Sequence, residues 1–384
     1  MPRIPLDMTS LTLDDFRRVL EGFDIVEPLA TMEPVSGGHI NDSWLMRLEG
    51  GQGLFLQRIN HEVYPDPVLL MQNVVSVSQH VRRQLRERGV DDLGRRCLRV
   101  LPTREGDPLL EDWVTGEVWR LFDAVEGTHV LERVENAGQA RASAAAFGAF
   151  FAALNADGGV QLGEVIPHFH DTPLRYDALS RAVADDVRGR VAGCRAELDA
   201  LLERRERAGL IVELQEAGEL PERSVHNDPK CTNVLLDDAT GEALCVVDLD
   251  NAMPGTSLHD VGDMLRAMTS LSAEDEPDLD QVACRPELFE AVVEGWLTEA
   301  GPMLAPAEVI MIVTAGWTIT LEQAVRFLTD HLQGDGYYKT AREGHNLDRA
   351  RAQLRLVESM EAQRTVLEGL VRDVWTRLGR PRQA

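Results

Sequence analysis

The sequence is short of cysteine, of positive charge and of long apolar runs, and each shortage excludes a class of protein. Its five cysteines are odd in number and widely spaced, which matches neither a zinc site nor a disulfide framework and indicates reduced thiols. No stretch of about 18 uninterrupted apolar residues is present to span a bilayer. The start also lacks the basic patch and apolar stretch of a secretory signal. We therefore expect a cytoplasmic protein that has no membrane partner.

The shortage of positive charge limits the partners further. Lys and Arg total 39 against 64 Asp and Glu, which gives a formal net charge of −25. The field of such a chain repels polyanions, nucleic acid among them. We expect a monomer that acts on a small molecule and binds no nucleic acid.

The first third of the chain has the pattern of a strand-rich lobe. A helix is predicted over residues 12–22, with Thr12 as its N-cap, and a long helix begins at Pro67 and ends at Gly89. Strands are predicted around these helices from alternating apolar residues and turn signals. They lie at EPLATMEPV, SWLMRLEG, LFLQRI, RCLRVLPT, DPLLED and VWRLFDAV.

The remainder is predicted to be mainly helical. The fold class is therefore α+β, with a small nucleotide-binding lobe over residues 1–125 and a larger catalytic and substrate-binding lobe over residues 126–384. A short strand pair at VLLD and LCVVDLD is the one interruption of the helical pattern. Helical spacing covers residues 136–157, 173–208, 256–271, 286–300, 306–333 and 346–378.

The octapeptide HNDPKCTN at residues 226–233, followed by CVVDLDNAMPG at residues 245–255, carries the strongest chemical signal. Phosphoryl transfer from ATP needs an aligned acceptor oxygen, metal ions that neutralise the developing charge, and a base for the proton of the acceptor. Asp228 has the position of that base. Asn233 and Asp248 are placed to bind Mg²⁺ through oxygen atoms, which suit a hard cation. The ordered set predicts an ATP-dependent kinase.

Two more residues of the octapeptide have predicted roles. The ammonium group of Lys230 would steady the transferred phosphate, and His226 would hold the loop through hydrogen bonds. Asn and Asp near Pro are also ordinary turn residues, so for any one position a purely structural role is the alternative. The order and spacing of the whole set favour the functional interpretation.

These motifs resemble those of the aminoglycoside phosphotransferase and choline kinase superfamily, whose members share a two-lobed, protein-kinase-like fold. Further segments are similar to bacterial N-acetylhexosamine 1-kinases, and the matches run from about residue 36 to about residue 353. The resemblance implies transfer of the γ-phosphate of ATP to the anomeric hydroxyl of an N-acetylhexosamine, with Asp228 as the base. The matching segments are GGHIND, LQRINHEVYPDP, HFHDTP, HNDPKCTN, CVVDLDNAMPG, RFLTDHLQGDGYYK and HNLDRARAQ.

The resemblance also implies that the GGHIND loop holds the sugar. His39, Asn41 and Asp42 are its candidate contacts, although the same residues could only satisfy the backbone of a turn. Gly37 and Gly38 would let backbone amides approach the phosphates of the nucleotide.

Arg326 is the second sugar contact that the resemblance implies. A guanidinium group can bind neighbouring hydroxyls with a rigid fork of donors. Taken alone, the spacing of TLEQAVRFLTDHL favours a different role. Arg326 would then lie on a solvated helix face and pair with Glu322 and Asp330.

One position departs from the protein-kinase pattern. Protein kinases pair a lysine on the third strand with a glutamate on the following helix, whereas LFLQRI offers Gln57 or Arg58, and Glu87 comes only at the end of the helix. The lysine and the glutamate are both missing, so neither charge is left unpaired in the protein interior. A register shift of one residue would exchange the faces of the strand, so either side chain could face the nucleotide.

Three acidic or amide residues are interpreted as mainly structural. Asp250 shares a strand face with Asp248 and is assigned to closing the turn after it, with assistance to the metal as the alternative. Asp260 lies in the first turn of a helix, and Asn346 is the N-cap of the last helix.

Two alternatives stay open for the activity. The same chemistry could act on another hexose, an aminoglycoside or choline, although Arg326 in the pocket would oppose a cationic acceptor. A nucleotide-binding protein without activity would usually lack the base or a metal ligand, and neither is lost here.

Overall fold

A computed structural model describes residues 11–35 and 40–379 of the chain. The described chain divides into two compact units, one that ends at Thr128 and one that begins at His129. The first unit is rich in strands and the second is mainly helical, so the predicted α+β class is confirmed.

The first unit contains one antiparallel sheet and three helices. Its elements are α1 (Leu13–Gly22), β1 (Leu29–Pro34), β2 (Asp42–Leu48), β3 (Gly53–Ile59), α2 (Pro67–Glu87), α3 (Leu93–Arg96), β4 (Val100–Leu101), β5 (Leu110–Glu111) and β6 (Val118–Asp123). The strand order is β1-β2-β3-β6-β4, and β5 pairs with β6. A two-residue strand, β7 (Thr128–His129), lies at the point of division. The predicted strands and the long helix are present, whereas the short helix α3 was not predicted.

One face of this sheet packs against α1. The Phe16 ring lies 5.1 Å from that of Trp44, and Trp44 lies 5.6 Å from Trp119, measured between ring centroids. The side chain of Thr12 accepts the N–H of Asp15, whose carboxylate in turn accepts the N–H of Thr12. This capping box starts the helix where the sequence predicts its N-cap.

The second unit contains the remaining helices and two short antiparallel strand pairs. Its elements are α4 (Ala137–Leu154), α5 (Thr172–Asp185), α6 (Arg195–Leu202), α7 (Arg205–Ala208), α8 (Leu210–Glu216), β8 (Arg223–Val225), β9 (Val234–Asp237), β10 (Ala243–Val246), β11 (Met253–Gly255), α9 (Ser257–Met268), α10 (Pro286–Glu299), α11 (Pro306–Ile310), α12 (Ile312–Gln333), α13 (His345–Ala362) and α14 (Arg364–Arg377). Strand β8 pairs with β11, and β9 pairs with β10, as predicted for VLLD and LCVVDLD.

Three of the predicted long helices are broken, so their predicted extents are wrong. Residues 173–208 divide after α5, because Asp186 adopts a left-handed conformation with φ of 36° and its carboxylate accepts the N–H groups of Arg190 and Val191. Residues 306–333 divide at Met311, and residues 346–378 divide at Gln363. Apolar spacing alone does not reveal such breaks, and at Asp186 the break is accompanied by hydrogen bonds from a single side chain.

The interpretation of Asn346 as an N-cap is also wrong. Helix α13 begins one residue earlier, at His345, and Asn346 is fully buried within it. The Asn346 side-chain amide donates to Asp330 Oδ2 at 2.9 Å and to Asp335 Oδ1 at 3.0 Å. The residue therefore joins α13 to the end of α12.

Two further expectations can be compared with the structure. The five cysteines are buried free thiols, which confirms the prediction of unpaired cysteines. Within residues 11–35 and 40–379, no helix combines the length and apolar character needed to cross a membrane.

Helices α9 and α12 approach each other closely at Gly262. A Cβ atom added there would lie 2.7 Å from the carbonyl oxygen of Ala315 and 2.6 Å from the side chain of Ile319, both in α12. A glycine is therefore needed for the two backbones to come this close. The contact matters because α9 also carries Asp260, which binds the backbone of the HNDPKCTN loop at residues 226–233.

Gly262→Ala is expected to lower the free energy of unfolding by about 1–3 kcal/mol, because the added methyl group would overlap the main chain of α12. Gly369→Ala in α14 is the matched control, since the nearest atom to its added Cβ is a side-chain nitrogen of Arg372 at 3.9 Å. The higher helix propensity of alanine should leave that variant as stable as the wild type or up to ~1 kcal/mol more stable. Urea unfolding followed by circular dichroism measures both, and equal destabilisation of the two variants would contradict the packing argument.

Candidate active site

The HND segment follows strand β8 and turns sharply at Asn227, whose φ is 63°. The ring of His226 is fully buried, with Nε2 3.0 Å from the carbonyl oxygen of Val247 and Nδ1 accepting the N–H of Asp228 at 3.3 Å. The edge of this ring also packs against Phe147, with centroids 5.2 Å apart. His226 therefore joins the loop to the chain after β10.

Asp260 holds the same loop from the first turn of α9. Its carboxylate accepts the N–H of His226 at 3.0 Å and the N–H of Asn227 at 2.8 Å. Burial raises the pKa of this carboxyl group. The sequence interpretation treated Asp260 only as a favourable charge at a helix start, because nothing local indicates a bond to residues more than thirty positions away.

Asp228 lies beside Lys230 and Asn233. One oxygen, Oδ2, is 3.0 Å from the Lys230 ammonium nitrogen and accepts from the Asn233 amide at 3.2 Å. Burial raises the pKa of Asp228, but the charge and hydrogen bond of Lys230 outweigh it, so that the pKa is lowered. Burial in turn lowers the pKa of Lys230, and the charges of Asp228 and Asp248 reverse that effect and raise it. Both groups are therefore charged at neutral pH.

The oxygen of the Asn233 side chain is free to bind a cation. Its amide nitrogen donates to the main-chain and side-chain oxygens of Asp228 at 2.9 and 3.2 Å, which orients the group. The carbonyl oxygen Oδ1 accepts no hydrogen bond within the described residues, although Asn233 is buried. An oriented oxygen without a donor is a suitable ligand for a hard cation.

Asp248 lies in a left-handed conformation, with φ of 59°, just beyond the end of β10. Its carboxylate is exposed and forms no ion pair within the described residues. Desolvation by the surrounding protein, followed by the like charges of Asp250 and Asp228, raises the pKa of Asp248 to about 6. The predicted shared strand face is wrong, because Asp250 is buried in a 3-10 turn over Leu249–Asn251.

Arg326 lies on α12 among three aromatic rings. Its guanidinium carbon is 5.2 Å from the centroid of Phe169, 5.8 Å from that of Tyr338 and 6.0 Å from that of Tyr337. One guanidinium nitrogen donates to Gln323 Oε1 at 3.3 Å, and no ion pair forms within the part of the chain that the structure describes. A half-buried guanidinium group with free donors therefore faces this aromatic cluster.

The alternative in which Arg326 pairs with Glu322 and Asp330 on a solvated helix face is wrong. Glu322 is buried and binds His170 and Thr172 instead. Asp330 is also buried and accepts the backbone N–H groups of residues 336–338, which places the two tyrosines near Arg326. Both carboxylates therefore bind groups that lie around Arg326 and do not pair with the Arg326 side chain itself.

The predicted sugar contacts of the first unit are only partly described. Gly37, Gly38 and His39 lie outside the described residues. Asp42 forms an ion pair with Arg58 on the neighbouring strand, with Arg58 Nε 3.1 Å from Asp42 Oδ2. The Asn41 side-chain oxygen accepts the N–H of Asn60 at 3.0 Å.

The register of β3 settles the faces of Gln57 and Arg58. Arg58 shares the face of the leucines that pack against α1, where it pairs with Asp42. Gln57 lies on the other face, donates to Ser43 Oγ at 2.9 Å and accepts from Arg120 Nε at 2.9 Å. Arg120 is almost fully buried on β6 and also contacts Met71 of α2. The spacing within LFLQRI does not indicate the Arg120 guanidinium group, because Arg120 comes from a different strand.

A loop with an ionised carboxylate next to a lysine, beside an amide oxygen and a carboxylate open to a cation, has the groups that phosphoryl transfer requires. Residues 31–302, more than half of the chain, match the model of the phosphotransferase enzyme family. The chain belongs to this family.

Solved structures show the same fold at low identity. An aminoglycoside phosphotransferase from Alicyclobacillus acidocaldarius is 13% identical with a TM-score of 0.57, over 99% of this chain and 97% of that one. A choline/ethanolamine kinase family protein from Mesorhizobium loti is 20% identical with a TM-score of 0.51, over 94% and 99%. An amicoumacin kinase in complex with AMP-PNP, Ca²⁺ and Ami is 14% identical with a TM-score of 0.54, over 89% of this chain and 93% of that one. These similarities confirm the two-lobed, protein-kinase-like fold of small-molecule kinases.

Asp260→Asn is expected to lower the free energy of unfolding by about 1–3 kcal/mol, because one of the two loop N–H groups would face an NH₂ group instead of an acceptor. Hydrogen exchange of the amides of His226 and Asn227 should accelerate in the same variant. Asp280→Asn, at an exposed position, is the control and should change neither quantity. Unchanged exchange at the two loop amides would show that Asp260 does not hold the loop.

Proposed function

We propose that this protein transfers the γ-phosphate of ATP to the anomeric hydroxyl of an N-acetylhexosamine and so forms the sugar 1-phosphate. The observation that carries the proposal is the ionised carboxylate of Asp228, held by Lys230 and Asn233 through one of its two oxygens. The sugar is supported by the sequence resemblance and by the surroundings of Arg326.

Asp228 is the base in this proposal. Its Oδ2 is occupied by Lys230 and Asn233, whereas Oδ1 has no hydrogen-bond partner within the described residues. The free oxygen can accept the proton of an acceptor hydroxyl as the bond to phosphorus forms. An anomeric hydroxyl is more acidic than other sugar hydroxyls, so a carboxylate is an adequate base for it.

Asn233 Oδ1 and Asp248 would hold Mg²⁺. Among the described residues no group of three or more His, Cys, Asp or Glu side chains is arranged to hold a metal ion. A cation at Asn233 and Asp248 would therefore take further oxygen ligands from the nucleotide and from water, as Mg²⁺ commonly does. When bound, the ion neutralises charge on the phosphates. Lys230 supplies a second positive charge beside Asp228.

The surroundings of Arg326 favour an uncharged acceptor. Arg326 offers free donors to hydroxyl or N-acetyl oxygens, and the rings of Phe169 and Tyr337 offer apolar surface for the faces of a sugar. A second guanidinium group, that of Arg175, lies near enough for burial and the charge of Arg326 to lower its pKa. Two positive charges oppose choline or an aminoglycoside, and this supports a neutral sugar.

Asp228→Asn and Asp248→Ala are expected to separate catalysis from nucleotide binding. Asp228→Asn should lower kcat by roughly a hundred-fold or more, because the base is lost, while Mg²⁺-dependent binding of ATP stays close to that of the wild type. Asp248→Ala should abolish the Mg²⁺ dependence of ATP binding in a calorimetric titration. Near wild-type turnover of the first variant would remove Asp228 as the base, and an unchanged Mg²⁺ dependence of the second would remove Asp248 as a ligand.

The acceptor is tested by incubation of the protein with ATP, Mg²⁺ and a panel of N-acetylhexosamines, other hexoses, choline and aminoglycosides. We expect turnover with an N-acetylhexosamine and a phosphorus NMR signal coupled to the anomeric proton. Arg326→Gln should raise the KM for the sugar roughly ten-fold or more, as expected for loss of a charged hydrogen-bond donor, and leave the KM for ATP unchanged.

Arg181→Gln is the control for Arg326→Gln, because Arg181 is exposed on α5, and it should change neither constant. Turnover of choline or an aminoglycoside with a kcat/KM above that of every sugar would show that the assigned acceptor is wrong. Hydrolysis of ATP or nucleotide binding without any phosphorylated acceptor would contradict the kinase assignment itself.

A further inference from the structure

His170 lies between the carboxyl group of Glu322 and a main-chain carbonyl oxygen, and both are hydrogen-bond acceptors when Glu322 is ionised. Its Nδ1 is 2.9 Å from Glu322 Oε1, and its Nε2 is 3.3 Å from the main-chain carbonyl oxygen of Asn227. The side chains of His170 and Glu322 are 4% and 1% exposed, so water does not serve as an alternative partner. Neutral imidazole has one N–H and one acceptor nitrogen, whereas imidazolium has two N–H groups. Beside an ionised Glu322, only the imidazolium form satisfies both contacts.

Two other buried histidines have the opposite arrangement. The Nδ1 atom of His226 accepts the N–H of Asp228, and the Nδ1 atom of His345 accepts the N–H of Ala341 at 3.0 Å. In both rings Nε2 faces an acceptor, the carbonyl of Val247 and the carboxylate of Asp275 respectively. These contacts fit a neutral ring protonated at Nε2. His170 differs from these two rings because both of its ring nitrogens face oxygen atoms and neither accepts a backbone N–H.

Glu322 provides the countercharge. One of its oxygens faces His170, and the other accepts from the Thr172 hydroxyl at 2.7 Å. Burial would raise the pKa of Glu322, but the charge and hydrogen bond of His170, followed by the charges of Arg326 and Arg175, lower it to about 2. A carboxylate at this depth requires a bound cation, because an unpaired buried charge is strongly destabilising.

The other charged groups around His170 come from α5, α9 and α12. Arg175 on α5 and Arg326 on α12 carry positive charge close to Glu322, and Asp260 on α9 carries a carboxyl group close to His170. The ring of His259, also on α9, lies 4.7 Å from that of His170. Burial and the charge of His170 lower the pKa of His259 to about 3, so this neighbour is neutral.

We propose that His170 is a positioning residue, held as an imidazolium by Glu322, that joins the acceptor-binding helix to the catalytic loop through the carbonyl group of Asn227. Asn227 directly precedes Asp228, and Glu322 precedes Arg326 by one turn of α12. The charged pair thus fixes the distance between the base and the arginine proposed to bind the acceptor. The catalytic consequence rests on the proposed function, whereas the protonation state of His170 does not.

The protonation state is tested by nitrogen NMR of the full chain labelled at the histidine rings, without ligand, at about pH 8, well above the ordinary titration range of histidine. We expect one histidine of the ten to show two protonated ring nitrogens. That signal should be lost in His170→Gln and should change to a neutral pattern in Glu322→Gln. His345→Gln is the control and should remove a neutral pattern only.

A wild-type spectrum with only neutral histidines would overturn the proposal. This outcome does not depend on the folding of any variant. Retention of the imidazolium signal in folded Glu322→Gln would overturn the role of Glu322. The kinetic expectation is a fall in kcat of roughly ten- to a hundred-fold in both variants with an unchanged KM for ATP, as for a misplaced catalytic group. Unchanged kcat in both would overturn the positioning role, whereas an imidazolium signal in a protein that phosphorylates no acceptor would count against the proposed function alone.

Discussion

The two hydrogen bonds from the backbone of His226 and Asn227 to the carboxylate of Asp260 are the constraint on which the arrangement of the catalytic loop depends. Asn227 adopts a left-handed conformation, which costs free energy for a residue other than glycine. The buried carboxylate compensates for that cost by accepting both N–H groups of the turn. Because Asp228 is the next residue, the direction of its side chain follows from this turn. The contacts of Lys230 and Asn233 with Asp228 depend on the same conformation.

Charge is distributed unevenly around this loop. On one side lie Asp228 and Asp248, and desolvation, followed by the like charges of Asp250 and Asp228, raises the pKa of Asp248. A divalent cation supplied with the nucleotide would offset these negative charges. On the other side Arg175 and Arg326 outnumber the single carboxylate of Glu322, which is already bound to His170 and Thr172. A chain with a net charge of −25 thus places unpaired positive charge where an acceptor is proposed to bind.

The fold does not determine the acceptor by itself. The structures with this fold include proteins named for aminoglycosides, for choline or ethanolamine and for amicoumacin. Function is determined by the side chains that a fold presents rather than by the fold. In this chain the side chains proposed to bind the acceptor are Arg326 and its aromatic neighbours; Tyr337 and Tyr338 follow Arg326 closely in sequence, whereas Phe169 comes from a distant segment. The acceptor proposal therefore depends on residues outside the loop that defines the family chemistry.

Local signals in the sequence were sufficient for the α+β class, the N-cap at Thr12 and the spacing of Asp228, Asn233 and Asp248, because each depends on residues close together in the chain. The tertiary structure decided what depends on distant residues. Asp260 and His226 are 34 positions apart, and His170 and Glu322 are 152 positions apart. Arg120 reaches Gln57 from another strand, and single residues such as Asp186 end helices that the apolar spacing would continue. Hydrogen bonds between distant segments leave no local pattern, so only the folded chain shows how the catalytic loop is held.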